Sequence, residues 1–598
     1  MTATLDLWPI GNCQVSALVD RAGRFVWGCV PRVDGDPAFS SLLDAAPRAG
    51  EGAHGFWEID LENCAHTRQH YLRNTPILVT THTDADGNAL EVVDFCPRYT
   101  GEGRVYRPVA FARIVRPLKG SPRIRVRLRP SRGWGAEQAP TTRGSNHIRY
   151  LVEDMVLRLT TNAPIGWIED EHRFRVEGAL YFFLGPDESF IGDPRTTIET
   201  MLGRTIKEWR HWVRGLATPV EWQDAVIRAA ITLKLCQHEE TGAIVAALTT
   251  SIPEHAHSGR NWDYRYCWIR DAYYTVQALN RLGALDVLEG YLAYLRNVVD
   301  SAKGGHIQPL YGVGGEARLE ERIEPGLTGY RGMGPVRVGN QAYEQIQHDA
   351  YGQIILSNAQ AFFDQRLYRM AGEEDFRALE TIGEHAWTVH DKPDAGLWEL
   401  RTRASVHTYS VAMCWAACDR LALIAQRLGL AERADFWRDR ADRIRDLIVD
   451  KAWREDSACL SATFAGDDLD ASLIQLLDMR FLPPDDARFR GTLTAVEEGL
   501  RRGSHMLRYA TEDDFGLPET AFNVCTFWLI EALHATGRLE DARTLFEEML
   551  SRRTGAGLLS EDIDPQTGEL WGNYPQTYSL VGTINCAVLL SKPWSMVR

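Results

Sequence analysis

Residues 261–276 read NWDYRYCWIRDAYYTV, and the periodicity changes within them. Trp262, Tyr264, Tyr266 and Trp268 alternate with other residues, which predicts extended chain, whereas Tyr273, Val276 and Leu279 recur at helical spacing. Arg270 and Asp271 therefore fall at a loop-to-helix junction, where side chains point out of the core. Two readings of that pair stay open: a helix cap with its ion pair, or a grip on the hydroxyls of a sugar. The surrounding rings favour the second, because indole and phenol groups carry polar handles that a bare cap leaves unused.

Downstream of this junction the pattern is helical. Paired runs turn around Gly283 (278–294), Gly372 (362–378), Gly429 (411–441) and Gly537 (524–549), and glycine after the last apolar residue is a helix stop signal. The units differ in length and long irregular stretches separate them, which argues against a strict solenoid and for a closed toroid of helices. Three of those stretches, 304–347, 391–407 and 555–576, are expected to wall a functional site. Upstream, to about residue 200, Phe25–Val30, Phe56–Leu61, 77–81 and 92–95 read as strands, and Gly, Pro and Asp punctuation predicts an antiparallel sandwich. Arg123–Arg129, RIRVRLR, puts Ile124, Val126 and Leu128 on one face and four arginines on the other, a face either solvated or binding an acidic ligand. The expected division is 1–196 for the sandwich, 197–218 for a linking helix, and 219–598 for the helical domain.

A chain of 598 residues exceeds one ordinary core. Net charge of −15 and a pI near 5.6, with scattered basic residues, point away from nucleic acid. No run approaches the roughly 18 apolar residues that span a bilayer, and the start, MTATLDLWPIGNCQ, lacks a basic n-region and an apolar h-region. A cytoplasmic protein with no membrane partner is expected, and an oligomer is compatible with these features. Eleven spread cysteines, an odd number, suit reduced thiols.

The stretch at 261–276 resembles the signature of glycoside hydrolase family 15, the glucoamylase and bacterial trehalase family. Further motifs follow in order: Gln347-His348-Asp349, Gly396-Leu397-Trp398-Glu399, Leu507-Arg508-Tyr509, Leu558-Leu559-Ser560-Glu561 and Asn573-Tyr574-Pro575-Gln576. The segment from Ile10-Gly11-Asn12 to Arg32-Val33-Asp34 resembles the β-domain that precedes the catalytic domain in bacterial members. Several motifs in one register are more specific than any one alone. The resemblance implies a multidomain protein, an N-terminal antiparallel β-sandwich followed by an all-α (α/α)6 barrel with its site on loops at one end. It implies an inverting, exo-acting hydrolase releasing β-D-glucose from a non-reducing α-glucosyl end. The N-terminal part favours trehalose, and the glucoamylase motifs allow short α-1,4 or α-1,6 glucosides.

Glycoside hydrolysis needs one carboxyl held protonated for the leaving oxygen and a second, ionised, to activate water, with no cofactor. By resemblance Glu399 is the general acid and Glu561 the general base. Partial burial of Glu399 against the indole of Trp398 would raise its pKa as an acid requires; Glu561, read alone, is an ordinary loop carboxylate. Resemblance also assigns Arg270, Asp271, Trp268 and Arg508 to the terminal glucosyl unit, with Tyr343 and Trp398 in the substrate pocket. Two departures fall on the leaving-group side: Leu400 stands where fungal glucoamylases have a second glutamate, and Tyr343 where a tryptophan is expected. Inversion implies carboxyls roughly 6.5 to 9.5 Å apart, against about 5 to 5.5 Å for retention. A phosphorolytic enzyme would show a basic cluster and no second carboxylate, which Glu561 opposes. A non-catalytic carbohydrate-binding protein on a hydrolase scaffold would have lost one carboxylate.

Other clusters give weaker signals. Glu561, Asp562, Asp564 and Glu569 suggest a calcium loop, but Thr567 occupies the position that needs glycine, so no metal is expected there. His255 and His257 lack a neighbouring third ligand, and Cys414 and Cys418 sit one helical turn apart among apolar residues, which suits core packing. Residues 329–337, GYRGMGPVR, lack the third glycine of a dinucleotide loop and read as a turn in a substrate loop.

Overall fold

The computed structural model describes residues 3–44, 52–302 and 305–597. Gly304, the start of one expected wall, lies outside the described residues. The N-terminal region is two antiparallel sheets. One runs through Trp8–Gly11, Ser16–Val19, Phe25–Val30, Phe56–Leu61, Arg123–Arg129 and Phe174–Arg175; the other includes Cys64–Tyr71, Leu78–Asp84, Ala89–Phe95, Phe111–Lys119, Leu180–Pro186 and Val156–Thr161. Their inner faces share one apolar cluster, in which Phe25, Trp57, Phe111 and Phe182 interlock edge to face.

The RIRVRLR strand pairs with Phe56–Leu61 in the register that opposes Arg125 to Asp60 and Arg127 to Glu58. Arg125 donates to Asp60 at 2.8 Å, Arg127 to Glu58 at 3.3 Å, and Arg123 to Glu62 at 2.8 Å. The basic face is thus not bare but a cross-strand charge ladder, complementary to the alternate acids of the next strand.

Helix Pro194–Arg214, capped by Asp193 through Thr196 N at 2.9 Å, follows the sheets. Beyond it, among the described residues, six inner elements close a ring: Ile269–Arg281, Asp349–Ala359, Thr408–Arg427, the 3-10 segment Ala471–Leu476, Asn523–Ala535 and Thr577–Leu590, the last packing back on the first. Helices Gln223–Leu235, Leu285–Ala302, Glu373–Val389, Ala431–Ala452, Ala487–Leu500 and Leu539–Ser551 form the outer layer. Composition sorts the layers: Thr577–Leu590 carries no charged residue and is buried on nearly all sides, whereas the outer helices keep an apolar stripe. This is the (α/α)6 barrel.

Gly283, Gly429 and Gly537 end their helices with φ near +80°, as the stop signal requires. Gly372 does not: it has φ −123° and precedes Glu373-Glu374-Asp375, whose acids favour a helix start. Cys414 and Cys418 are buried within Thr408–Arg427, and among the described residues no group of three or more His, Cys, Asp or Glu side chains is placed to hold a metal. No described helix is long and apolar enough to cross a membrane.

Candidate active site

Several inner helices begin at one end of the barrel, and a cavity of about 900 Å³, open mouth included, lies there. All three loops expected as walls contribute, through Gln345, the 397–401 turn, and Glu561 with Gln576. Two more loops, around 246–268 and 508–515, complete the wall.

Trp268 is the N-cap of Ile269–Arg281, and no side chain caps that helix. Asp271, in its first turn, is 4% exposed and accepts no hydrogen bond from another side chain among the described residues. Burial raises its carboxyl to about 7; Arg270 pulls it down, while Glu399 and Glu561 push it further up. A carboxylate on a cavity wall to which no side chain donates a hydrogen bond, its nearest cation the Arg270 Nε at 3.7 Å, is suited to a ligand hydroxyl. Arg270, expected to grip hydroxyls, lines the cavity, and its Nε has no hydrogen-bond partner among the described residues. Its Nη2 donates to Glu399 Oε1 at 3.1 Å and its Nη1 to Gln347 Oε1 at 3.0 Å, so it also braces the loop that carries Glu399.

Glu399 sits at φ +61°, a conformation a non-glycine residue adopts at a cost. Gly396 (φ +70°) starts the turn, and a Cβ there would meet the His407 ring at 2.7 Å. Gln345 Nε2 holds the Glu399 carbonyl at 3.1 Å. Trp268 Nε1 donates to the same Oε1 at 2.6 Å, and Oε2 has no protein hydrogen bond among the described residues. The side chain is 22% exposed. Trp398 beside it donates to buried Asp470 at 2.9 Å and packs against Tyr509, Phe522 and Trp528.

Glu561 is 1% exposed. Its Oε1 accepts from Tyr264 Oη at 2.6 Å, and its Oε2 is buried with no partner. Burial raises the carboxyl, the adjacent Asp562 adds to the effect, and Tyr264 and Arg508 oppose it. Gly572, φ +73°, makes room: a Cβ there would lie 2.7 Å from Oε2. Tyr264 and Trp268 meet edge to face at 5.3 Å, so the two carboxylates hang from opposite members of one aromatic pair, with no bond between them.

Residues 221–588 match the model of the glycosyl hydrolases family 15. The chain belongs to that family, and the protein is a glycoside hydrolase. It is 32% identical to a trehalase of Mycobacterium tuberculosis, across 97% of this chain and 88% of that protein. To a trehalase of Thermoplasma volcanium it is 29% identical, across 98% and 93%. A bacterial glucoamylase complexed with acarbose shares the fold at a TM-score of 0.68 and 14% identity, covering 98% of this chain and 94% of that one.

Within this family 15 cavity the structure gathers Trp268, Arg270, Asp271, Trp398, Glu399, Arg508 and Glu561. Tyr343 is not on its wall: it packs beside the Tyr266–Trp268 cluster and its hydroxyl donates to Glu344 at 3.0 Å. Residues 329–337 are also off the wall; Arg331 reaches the Ala3 carbonyl at 2.7 Å and Glu569 at 2.8 Å, tying the N-terminal region to the barrel rim. Asp564 accepts from Gln566 N and Thr567 Oγ1, both at 2.8 Å, so its carboxylate closes a turn. His255 pairs with Glu519. Sequence reasoning missed Glu254, 3% exposed, which pairs with Arg508 and accepts from Trp262 Nε1 at 3.1 Å. It also missed the role of Tyr264, although the alternation that placed Trp262 and Trp268 on one side of the chain places Tyr264 there too.

Proposed function

We propose that the protein hydrolyses an α-glucosidic disaccharide from its non-reducing end with inversion, trehalose being the first candidate. The observation that carries the reading is the aromatic pair that holds Glu399 at one end and Glu561 at the other. Hydrolysis with inversion uses two carboxyls standing apart, with room for water beside the base. Glu399 is the acid: with Oε1 taken by Trp268 and Arg270, Oε2 is the oxygen left to carry a proton to the leaving group. Glu561 is the base, and Tyr264 orients it. Asp271, Arg270, Arg508 and Trp268 take the terminal glucosyl unit, in keeping with the Asp271 carboxylate on the cavity wall, to which no side chain donates among the described residues. Relatives named trehalase along nearly the whole chain support trehalose. Eleven unpaired cysteines, ten of them buried, support a reducing, cytoplasmic setting.

The test is product analysis on trehalose, maltose, isomaltose, maltotriose and starch, each with and without phosphate, followed by proton NMR in the first minutes. Inversion of trehalose gives α- and β-glucose in equal initial amounts, because one unit inverts and the other leaves unchanged; retention gives α-glucose alone. The other α-glucosides should release β-glucose first from the cleaved unit. Initial α-glucose alone would overturn inversion and the role of Glu561, and inert trehalose would overturn the substrate.

A further inference from the structure

Exposure orders the cavity from floor to mouth. Asp271 and Glu561 at the floor are 4% and 1% exposed, whereas Phe515 at the rim is 39% exposed. A terminal glucosyl unit held at the floor leaves its aglycone at the rim, beside Leu400 and Arg401, the residues that follow the acid.

There the loop carrying Glu399 is tied to the loop that follows Arg508. Arg401 N donates to Asp514 Oδ2 at 2.6 Å, Thr402 Oγ1 donates to Asp514 Oδ1, and Arg403 Nη1 reaches the Glu512 carbonyl at 2.9 Å. The tie is braced on both sides. Arg260 holds Asp513 at 2.7 Å and the Gly516 carbonyl at 2.9 Å. The Arg401 guanidinium bonds Glu321 at 2.8 Å and lies 4.2 Å over Trp262, whose ring meets Phe515 at 5.1 Å. Both oxygens of Asp514 are thus used to join two loops across the aglycone side, and a guanidinium between two rings fills the space beside them.

Resting on the assignment of Glu399 as acid, we propose that this clasp limits the substrate to one sugar unit beyond the cleaved bond, so that Asp514 and Arg401 select disaccharides against longer α-glucans. A third unit would have to pass where the two loops are bonded. The clasp is neutral toward linkage; it reads length.

Chain length is isolated by competition. Maltose, maltotriose and maltohexaose, one linkage at three lengths, compete against hydrolysis of the best disaccharide by the parent, Asp514→Ala, Asp514→Asn and Thr402→Val. In the parent, maltohexaose should inhibit at least about tenfold more weakly than maltose. In Asp514→Ala that gap should close, with Asp514→Asn, which keeps one acceptor, and Thr402→Val, which loses one donor, between the two. Equal inhibition by maltose and maltohexaose in the parent overturns the proposal, as does an unchanged gap in Asp514→Ala, or in Thr402→Val should Asp514→Ala not fold. Failure of trehalose as substrate leaves this result readable, because any disaccharide the enzyme cleaves serves as the reporter.

Discussion

Arg113 and Asp94, buried between the two sheets, share hydrogen bonds at 2.8 and 3.1 Å, and the remaining guanidinium hydrogens reach the carbonyls of Trp57 at 3.0 Å and Gly23 at 2.6 Å. Glu561 and Asp562 are as deeply buried in the barrel, yet Glu561 Oε2 and Asp562 Oδ2 have no partner. Buried polar atoms in folded proteins are nearly always satisfied, so the exceptions need a reason. At Arg113 and Asp94 the buried charge is architectural and closes on itself. In the barrel Glu561 Oε2 is left open at the cavity wall, and burial raises both its carboxyl and that of the adjacent Asp562.

The contrast breaks most visibly at the proposed catalytic pair. Glu399→Gln and Glu561→Gln should each lower kcat by about 100- to 10,000-fold while thermal melting stays close to that of the parent. Near-normal turnover in either variant removes that residue from its role. The mirror experiment is Arg113→Met, which strands Asp94 without its charge partner. It should cost about 3–5 kcal/mol of stability by denaturant titration, with kcat/KM of the folded fraction unchanged. A large loss of activity at unchanged stability would show that the sheet region takes part in the site.

Asp271 tests the same division inside the barrel. As an open acceptor for substrate, Asp271→Ala should lose roughly 3 kcal/mol in kcat/KM, whereas a residue that merely favours the helix start would cost about 1 kcal/mol of stability and little activity. Kinetics and melting of that one variant separate the two. A lowered melting temperature with intact kcat/KM would end its role in sugar binding.

What was legible in the sequence follows from how far apart the partners lie. The period-two alternation of RIRVRLR located its strand because the pattern is local, and the complementary alternation of Glu58, Asp60 and Glu62 beside it supplies partners for Arg123, Arg125 and Arg127. Gly372 misled because a glycine beside a helix marks either end; the three acids after it were the better guide. At the site, motif order brought the two carboxylates into view, but not the partners that set their chemistry. That Arg270 also braces Glu399 was invisible because Glu399 lies 129 residues on. Glu254 was invisible because Arg508 lies 254 residues away, and no periodicity spans that distance.

Tyr264 offers the smallest and most diagnostic perturbation, because it touches one oxygen of Glu561 and donates no other side-chain hydrogen bond. A hydrogen bond given to a carboxylate favours the ionised form, and here it opposes the upward push of burial and of Asp562. The base works only when ionised, so the acid limb of kcat/KM should lie above the ordinary carboxylate range in the parent. Tyr264→Phe removes a stabiliser of the charged form. Its folded-state proton affinity therefore rises, and the acid limb should move to higher pH, with kcat on the plateau falling roughly tenfold, as expected for one bond to a charged group. Tyr264 donates to Glu561 and not to Glu399, so the effect should be confined to the acid limb. A pH profile that moves on its alkaline side, or toward lower pH, would show that the two carboxylates have been given each other's roles.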